Sequence, residues 1–128
     1  MARLRSSLQW MDDKDNDTKV SVTVTTKFNN TFDLTLAHLN DFAGSDTWED
    51  KSGKEYTYDL NVAGGVKISQ VSGDLVTKIC VNPVGNDTVK FSYRLVLIFQ
   101  EDGGEPIELR QERGEITLSQ DGRCWSGT

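Results

Sequence analysis

The stretch that decides the fold reads Val89-Lys90-Phe91-Ser92-Tyr93-Arg94-Leu95-Val96-Leu97-Ile98-Phe99. Every second residue from Val89 to Phe99 is apolar, which is the pattern of a β-strand with one face on a core. Val96 and Ile98 add apolar side chains to the opposite face. A strand that is apolar on both faces near its end is typical of a sheet interior, so we predict a central strand here.

The residues that follow this strand predict a hairpin. A two-residue loop would mix core and solvent faces, because a register shift of one residue inverts every side chain. A three-residue loop at 102–104 keeps the faces consistent, with Gly104 in the left-handed conformation. In that register Phe99 pairs with Ile107 and Leu97 pairs with Leu109.

Face agreement predicts a second hairpin, from Lys19 to Ala37, with the loop Asn29-Asn30-Thr31. Its register pairs Phe28 with Phe32 and Val24 with Leu36. The loop is also a glycosylation sequon, as are Asn16-Asp17-Thr18 and Asn86-Asp87-Thr88. No apolar segment of a secretory signal follows the basic residues at the start of the chain, so we interpret all three sequons as turns.

Period-two patterns predict further strands, and no segment has the 3.6-residue period of an amphipathic helix. These strands lie at 2–10, 56–62, 66–68, 75–81 and 116–118. About eight to nine short strands with frequent turns predict an all-β fold, an antiparallel and jelly-roll-like β-sandwich. A closed β-barrel is the alternative. The 128 residues predict one domain, 1–128.

Composition excludes several classes of partner. The formal net charge is −6 and the isoelectric point is near 4.7, so a nucleic-acid backbone is not expected as a ligand. No apolar run reaches the roughly 20 residues of a membrane helix. We therefore predict a soluble acidic protein, either cytoplasmic or separated from a leader.

Cys80 and Cys124 are far apart in sequence and lack the spacing of a zinc site. Because the start of the chain does not indicate secretion, we expect two buried free thiols. A disulfide is the alternative, and it would close a loop of about 45 residues.

An acidic turn follows the first strand. Asp13, Asp15 and Asp17 have the spacing of the first three ligands of a calcium loop. The Gly and Glu required later in that motif are replaced by Thr18 and Val24. The turn is therefore interpreted as solvated, with calcium as the alternative and the only cofactor considered.

The longest irregular stretch runs from His38 to Gly53 and is the candidate binding site. Trp48 lies there beside three acidic residues, and His38 is the only histidine of the chain. An aromatic face that stacks on a sugar ring and carboxylates that accept its hydroxyl hydrogen bonds form one kind of carbohydrate site. The predicted ligand-binding residues are His38, Asp46, Trp48, Glu49 and Asp50. The alternative for Trp48 is a packing role at the open end of the fold.

The sequence contains no catalytic motif, so no catalytic residue is assigned. We therefore expect a non-enzymatic recognition module, lectin-like, that binds a glycan or another small molecule through loops at one end. A membrane-active or toxin-like β-protein, a glycan-active hydrolase and an assembly subunit are the alternatives. Homo-oligomerisation is left open.

Overall fold

The computed structural model of the chain describes residues 3–11, 19–42, 56–82, 88–100, 103–119 and 121–128. These ranges form strands and one 3₁₀ turn, and they contain no α-helix, so the all-β prediction is confirmed. The strands are β1 Arg3–Met11, β2 Lys19–Phe28, β3 Phe32–Phe42, β4 Tyr56–Asp59, β5 Asn61–Val62, β6 Val71–Asn82, β7 Thr88–Gln100, β8 Ile107–Ser119 and β9 Cys124–Gly127.

The strands form two antiparallel sheets. Sheet A has the order β4-β1-β7-β8, and sheet B has the order β5-β3-β2-β6-β9. The strand predicted to be central, β7, pairs with β1 on one side and β8 on the other. In the part of the chain that the structure describes, neither sheet closes on itself, so the closed-barrel alternative is wrong.

Both sheets contribute side chains to one cluster of buried residues. In β2 alternate residues are buried, because successive side chains of a strand point to opposite faces. The same alternation in β7 buries five of the residues that the sequence pattern placed on the core. The fully or almost fully buried members in these two strands are Val20, Val22, Val24, Phe91, Tyr93, Leu95, Leu97 and Phe99.

The register of the β7–β8 hairpin is the predicted one. Phe99 pairs with Ile107, and Leu97 pairs with Leu109. The prediction for the turn was wrong in one detail, because Gly103, with φ +77°, takes the left-handed conformation assigned to Gly104. A further difference is that β8 continues to Ser119 as one strand.

The β2–β3 hairpin follows its predicted register only near the turn. Phe28 pairs with Phe32, but Val24 pairs with Ala37 where Leu36 was predicted. A β-bulge between Val24 and Thr25 in this pairing inserts one residue into β3. Leu36 and Ala37 are both buried, so the bulge keeps two consecutive apolar side chains out of water.

The segment predicted as one strand over 56–62 is divided between the sheets. Residues before Leu60 form β4 at the edge of sheet A, and residues after it form β5 at the edge of sheet B. Leu60 itself is buried at this crossing. The prediction of a strand at 66–68 is wrong, because Ile68–Gln70 forms a 3₁₀ turn.

Cys80 and Cys124 form a disulfide, so the expectation of two free thiols is wrong. The two residues lie directly opposite each other on β6 and β9, with their Cα atoms 4.1 Å apart. The neighbouring Val81 N–H donates to the Arg123 carbonyl at 2.8 Å. In an antiparallel ladder, hydrogen-bonded and non-hydrogen-bonded residue pairs alternate, and the side chains are closer in the non-hydrogen-bonded pairs. The two cysteines occupy such a non-hydrogen-bonded pair.

Candidate functional site

In sheet B, three strand ends meet at one end of the sheet. Lys19, where β2 begins, pairs with Asn82, where β6 ends. Val20 pairs with Phe42, where β3 ends. The segments 12–18, 43–55 and 83–87 are therefore attached side by side on this sheet.

Sheet A has a matching set of strand ends. Trp10, next to the end of β1, pairs with Tyr56, where β4 begins. Met11 pairs with Ser92, near the start of β7. Segment 12–18 follows β1, segment 43–55 precedes β4, and segment 83–87 precedes β7. Each of these segments therefore connects a strand of sheet A to a strand of sheet B.

Chain length places the two sets of strand ends at the same end of the molecule. The five residues between β6 and β7 allow Asn82 and Thr88 to be at most about 20 Å apart. Strands as long as β6 and β7 extend for about 40 Å. Asn82 and Thr88 are therefore at the same end of their sheets. We call the end to which the segments 12–18, 43–55 and 83–87 attach the acidic end.

The charge of the three attached segments explains this name. Together they contain nine of the 20 acidic residues and three of the 14 basic residues, a formal charge of −6. That value equals the formal net charge of the whole chain, so the remaining residues are balanced. The acidic end therefore favours cationic groups or hydroxyl donors as ligands.

Most of the predicted site residues are in these segments. Asp13, Asp15, Asp17, Asp46, Trp48, Glu49 and Asp50 all lie outside the described residues. Within the described ranges, no group of three His, Cys, Asp or Glu side chains is close enough to hold a metal ion.

His38 lies in β3, whereas the sequence predicted it at the start of an irregular stretch. Its side chain is exposed, and its backbone pairs with Thr23 of β2 and Asn61 of β5. The strand continues to Phe42 through an irregularity at Asp41, which has φ +51° and donates its N–H to Ser21 Oγ at 3.0 Å. The irregular stretch predicted from His38 is therefore shorter at its start.

The structure also contains a polar cluster that the sequence did not predict. Tyr93 Oη donates to Gln111 Oε1 at 2.7 Å, and Thr77 Oγ1 donates to the same oxygen. The Gln111 Nε2 group donates to the Leu75 carbonyl at 3.1 Å. Thr77 and Leu75 belong to sheet B and the other two residues to sheet A, so this cluster joins the sheets.

Burial controls the acid–base behaviour of the cluster. Desolvation raises the pKa of Tyr93, and this effect exceeds the opposing effects of the Thr77 hydrogen bond and of the Arg113 charge. Tyr93 is therefore a neutral hydrogen-bond donor at physiological pH. One signal in the sequence could have indicated the cluster. Gln111 is two residues after Leu109 and therefore lies on the same, core-facing side of the strand, where a polar side chain needs a partner.

The cluster continues toward β9 through aromatic contacts. The rings of Tyr93 and Trp125 meet edge to face with their centroids 5.7 Å apart. The Arg113 guanidinium lies 5.7 Å from the centroid of the Trp125 ring and donates to the Thr128 carbonyl at 3.0 Å. These contacts hold β9 against the core.

Beside the cluster is a shallow, open depression of about 260 Å³. Asp74, Leu75, Arg110, Gln111 and Thr128 line it. The Gln111 amide already makes hydrogen bonds within the protein, through both its oxygen and its nitrogen. We therefore assign the cluster a structural role.

No helix in the described ranges is long and apolar enough to cross a membrane. The chain matches no protein-family model, no curated protein and no solved structure.

Proposed function

We propose that this chain is a non-enzymatic recognition module that binds a glycan or another small polar ligand at the acidic end. One observation carries the proposal. The three segments that hold the charge imbalance of the chain are all attached at the same end of the two sheets. Loops that a rigid β-scaffold holds together at one end are a common way to build a binding site.

The proposal includes a β-sandwich as the scaffold. It is supported by the single buried cluster to which sheets A and B both contribute, and by the Thr77–Gln111 contact between them. Such a scaffold restricts the positions of the loop ends, which lowers the entropy cost of ordering loops on binding.

A glycan is the preferred ligand because of the residue types in segment 43–55. Trp48 offers an aromatic face, and Asp46, Glu49 and Asp50 offer acceptors for sugar hydroxyl groups. The same charge disfavours a membrane-active protein that binds anionic lipid. No observation favours a glycan-active hydrolase or an assembly subunit over a recognition module.

A pair of variants tests the proposal. Trp48→Ala should abolish binding on a glycan array and change the free energy of unfolding by less than about 1 kcal/mol, because a stacking residue on the surface contributes little to the core. Phe32→Ala is the matched control, since it removes an exposed aromatic ring from the opposite end of sheet B. It should leave binding unchanged. A loss of about 3 kcal/mol or more in Trp48→Ala would make Trp48 a core residue and remove the anchor of the glycan site.

A separate melting experiment tests calcium binding to the acidic turn. If Asp13, Asp15 and Asp17 bind the ion, millimolar calcium should raise the melting temperature through binding to the folded state, and a chelator should reverse the shift. Glycan binding that is unchanged by chelator would show that the glycan site does not need calcium.

A further inference from the structure

The residues of the hairpin turn between β2 and β3 are exposed, and their backbone has a defined conformation. Asn29 and Asn30 have φ values of +49° and +58°, the left-handed pair of a type I′ turn. The Thr31 N–H donates to the Phe28 carbonyl at 3.0 Å and closes the turn. Both asparagines and Thr31 are exposed.

Two contacts hold this turn against the segment that begins β6. The Asn29 N–H donates to the Gln70 carbonyl at 3.0 Å, and the Asn30 N–H donates to Ser72 Oγ at 2.8 Å. The backbone donors of the turn therefore have partners within the protein. The exposed side chain of Asn29 is not needed for these backbone contacts.

The turn is also an Asn-x-Thr sequon, and the disulfide changes its interpretation. Disulfides such as Cys80–Cys124 form and persist in oxidising compartments. The eukaryotic compartment where they form also holds the machinery that adds N-linked glycans to Asn-x-Thr sequences. We propose that Asn29 carries an N-linked glycan and that its first sugar packs on the aromatic pair of Phe28 and Phe32.

The transfer requires a polyprenyl-pyrophosphate-linked oligosaccharide as co-substrate. The Asn29 Nδ2 atom attacks the anomeric carbon of the first sugar and forms a C–N bond. The C–O bond to the lipid pyrophosphate breaks, and the lipid pyrophosphate leaves with the bonding electrons. The amide gives up one proton to a base of the transferase, so no oxidant or reductant is needed.

The aromatic pair gives the attached sugar a surface beside its acceptor. The rings of Phe28 and Phe32 are stacked with their centroids 5.1 Å apart, and Phe32 is 53% exposed. Phe28 directly precedes Asn29 in the chain. The apolar C–H face of a sugar can cover exposed aromatic carbon that is otherwise in contact with water. This end of sheet B is opposite the acidic end, so a glycan here leaves the proposed binding site open.

Occupancy is tested on the full 128-residue chain secreted from eukaryotic cells behind a cleavable leader. Trypsin releases a peptide over 28–51, in which Asn29 is the acceptor of the only sequon. Enzymatic release of the glycan in heavy-oxygen water should convert Asn29 to labelled Asp. An unmodified peptide from folded, secreted protein would overturn the proposal.

Two matched variants check the assignment. Asn29→Asp removes the acceptor, whereas Asn30→Asp makes the same change one residue later and keeps the sequon. On a denaturing gel, only Asn29→Asp should migrate faster than the unsubstituted protein, by the mass of one glycan. If Asn29→Asp is not secreted, the peptide from the unsubstituted protein still decides the question.

A second measurement tests the contact with the aromatic pair. Enzymatic removal of the glycan should lower the melting temperature of the unsubstituted protein by about 3 °C, since the sugar no longer covers the rings. In Phe32→Ala the same treatment should produce less than half of that shift. Equal shifts in the two proteins would refute the contact, even if Asn29 is occupied.

Discussion

Thr77 of sheet B donates a hydrogen bond to Gln111 of sheet A. Thr77 is fully buried, so its hydroxyl group has no access to water. A buried hydroxyl without a partner costs about 1 to 3 kcal/mol, which makes Gln111 important for the contact between the sheets.

We predict that Gln111→Leu lowers the free energy of unfolding by about 2 kcal/mol, because it removes the acceptor of Thr77 and the donor to the Leu75 carbonyl. Denaturant unfolding measures the change. Thr117→Val on the same strand is the control, since Thr117 is exposed and its replacement should cost less than about 0.5 kcal/mol. Adding Thr77→Val to Gln111→Leu should recover part of the loss. Strict additivity of the two substitutions would contradict the contact.

A second prediction concerns alkaline pH. Burial raises the pKa of Tyr93 above 10, so the unfolded chain releases this proton at a lower pH than the folded protein does. The contribution of Tyr93 to stability is therefore complete below about pH 10 and is lost as the pH rises through the folded pKa. The free energy of unfolding should fall more steeply above pH 10 in the unsubstituted protein than in Tyr93→Phe. Parallel curves would show that Tyr93 titrates normally.

A third prediction concerns the disulfide. Denatured, unreduced protein should show no reactive thiol. Reduction should lower the free energy of unfolding by about 4 kcal/mol on the chain-entropy model, since the cysteines are 44 residues apart. Cys80→Ala/Cys124→Ala should show the same loss and no further effect of reductant. Free thiol in the unreduced sample would instead restore the sequence-based expectation.

A fourth prediction uses two glycines near the end of the described chain. A Cβ atom at Gly127 would lie 2.6 Å from Cζ2 of Trp125, so Gly127→Ala must displace the indole or β9. We expect a loss of about 1 to 3 kcal/mol and a red shift of the Trp125 fluorescence, measured with Trp10 and Trp48 replaced by Phe. Gly122→Ala is the control, because a Cβ atom there meets nothing within 4 Å. If Gly122→Ala causes the same shift, the effect does not come from the indole contact.

The β7–β8 register was predictable because both strands have clear alternation, so only one loop length keeps Leu97 and Leu109 on the same face. The bulge in β3 was not predictable from the same rule. Leu36 and Ala37 are both apolar, and a pattern of alternation does not reveal which of them is the additional residue. The change of sheet at Leu60 was hidden for a similar reason, since a strand that crosses between sheets keeps its alternation.

The disulfide was missed because the expectation depended on an inference about the cellular compartment, while the deciding fact was a direct pairing of β6 with β9. Strands distant in sequence become neighbours only through tertiary structure, which one sequence does not show. For the candidate site, the sequence identified the acidic turn with Asp13, Asp15 and Asp17 and the stretch from His38 to Gly53. The strand pairings add that both are attached at the same end of sheet B, together with segment 83–87. Trp48 and the predicted acidic ligands lie outside the described residues, so their roles stay predictions.

The central position of β1 in sheet A has a consequence for synthesis. β1 pairs with β4 on one side, but on its other side Arg3 pairs with Gln100, so β1 lacks this second partner until β7 has been synthesised. The β2–β3 hairpin has no such delay, because its strands are neighbours in sequence. Sheet B therefore begins to form on the ribosome while the apolar face of Val20, Val22 and Val24 has no cover from β7. During that interval a nascent chain is most exposed to aggregation and most dependent on chaperones.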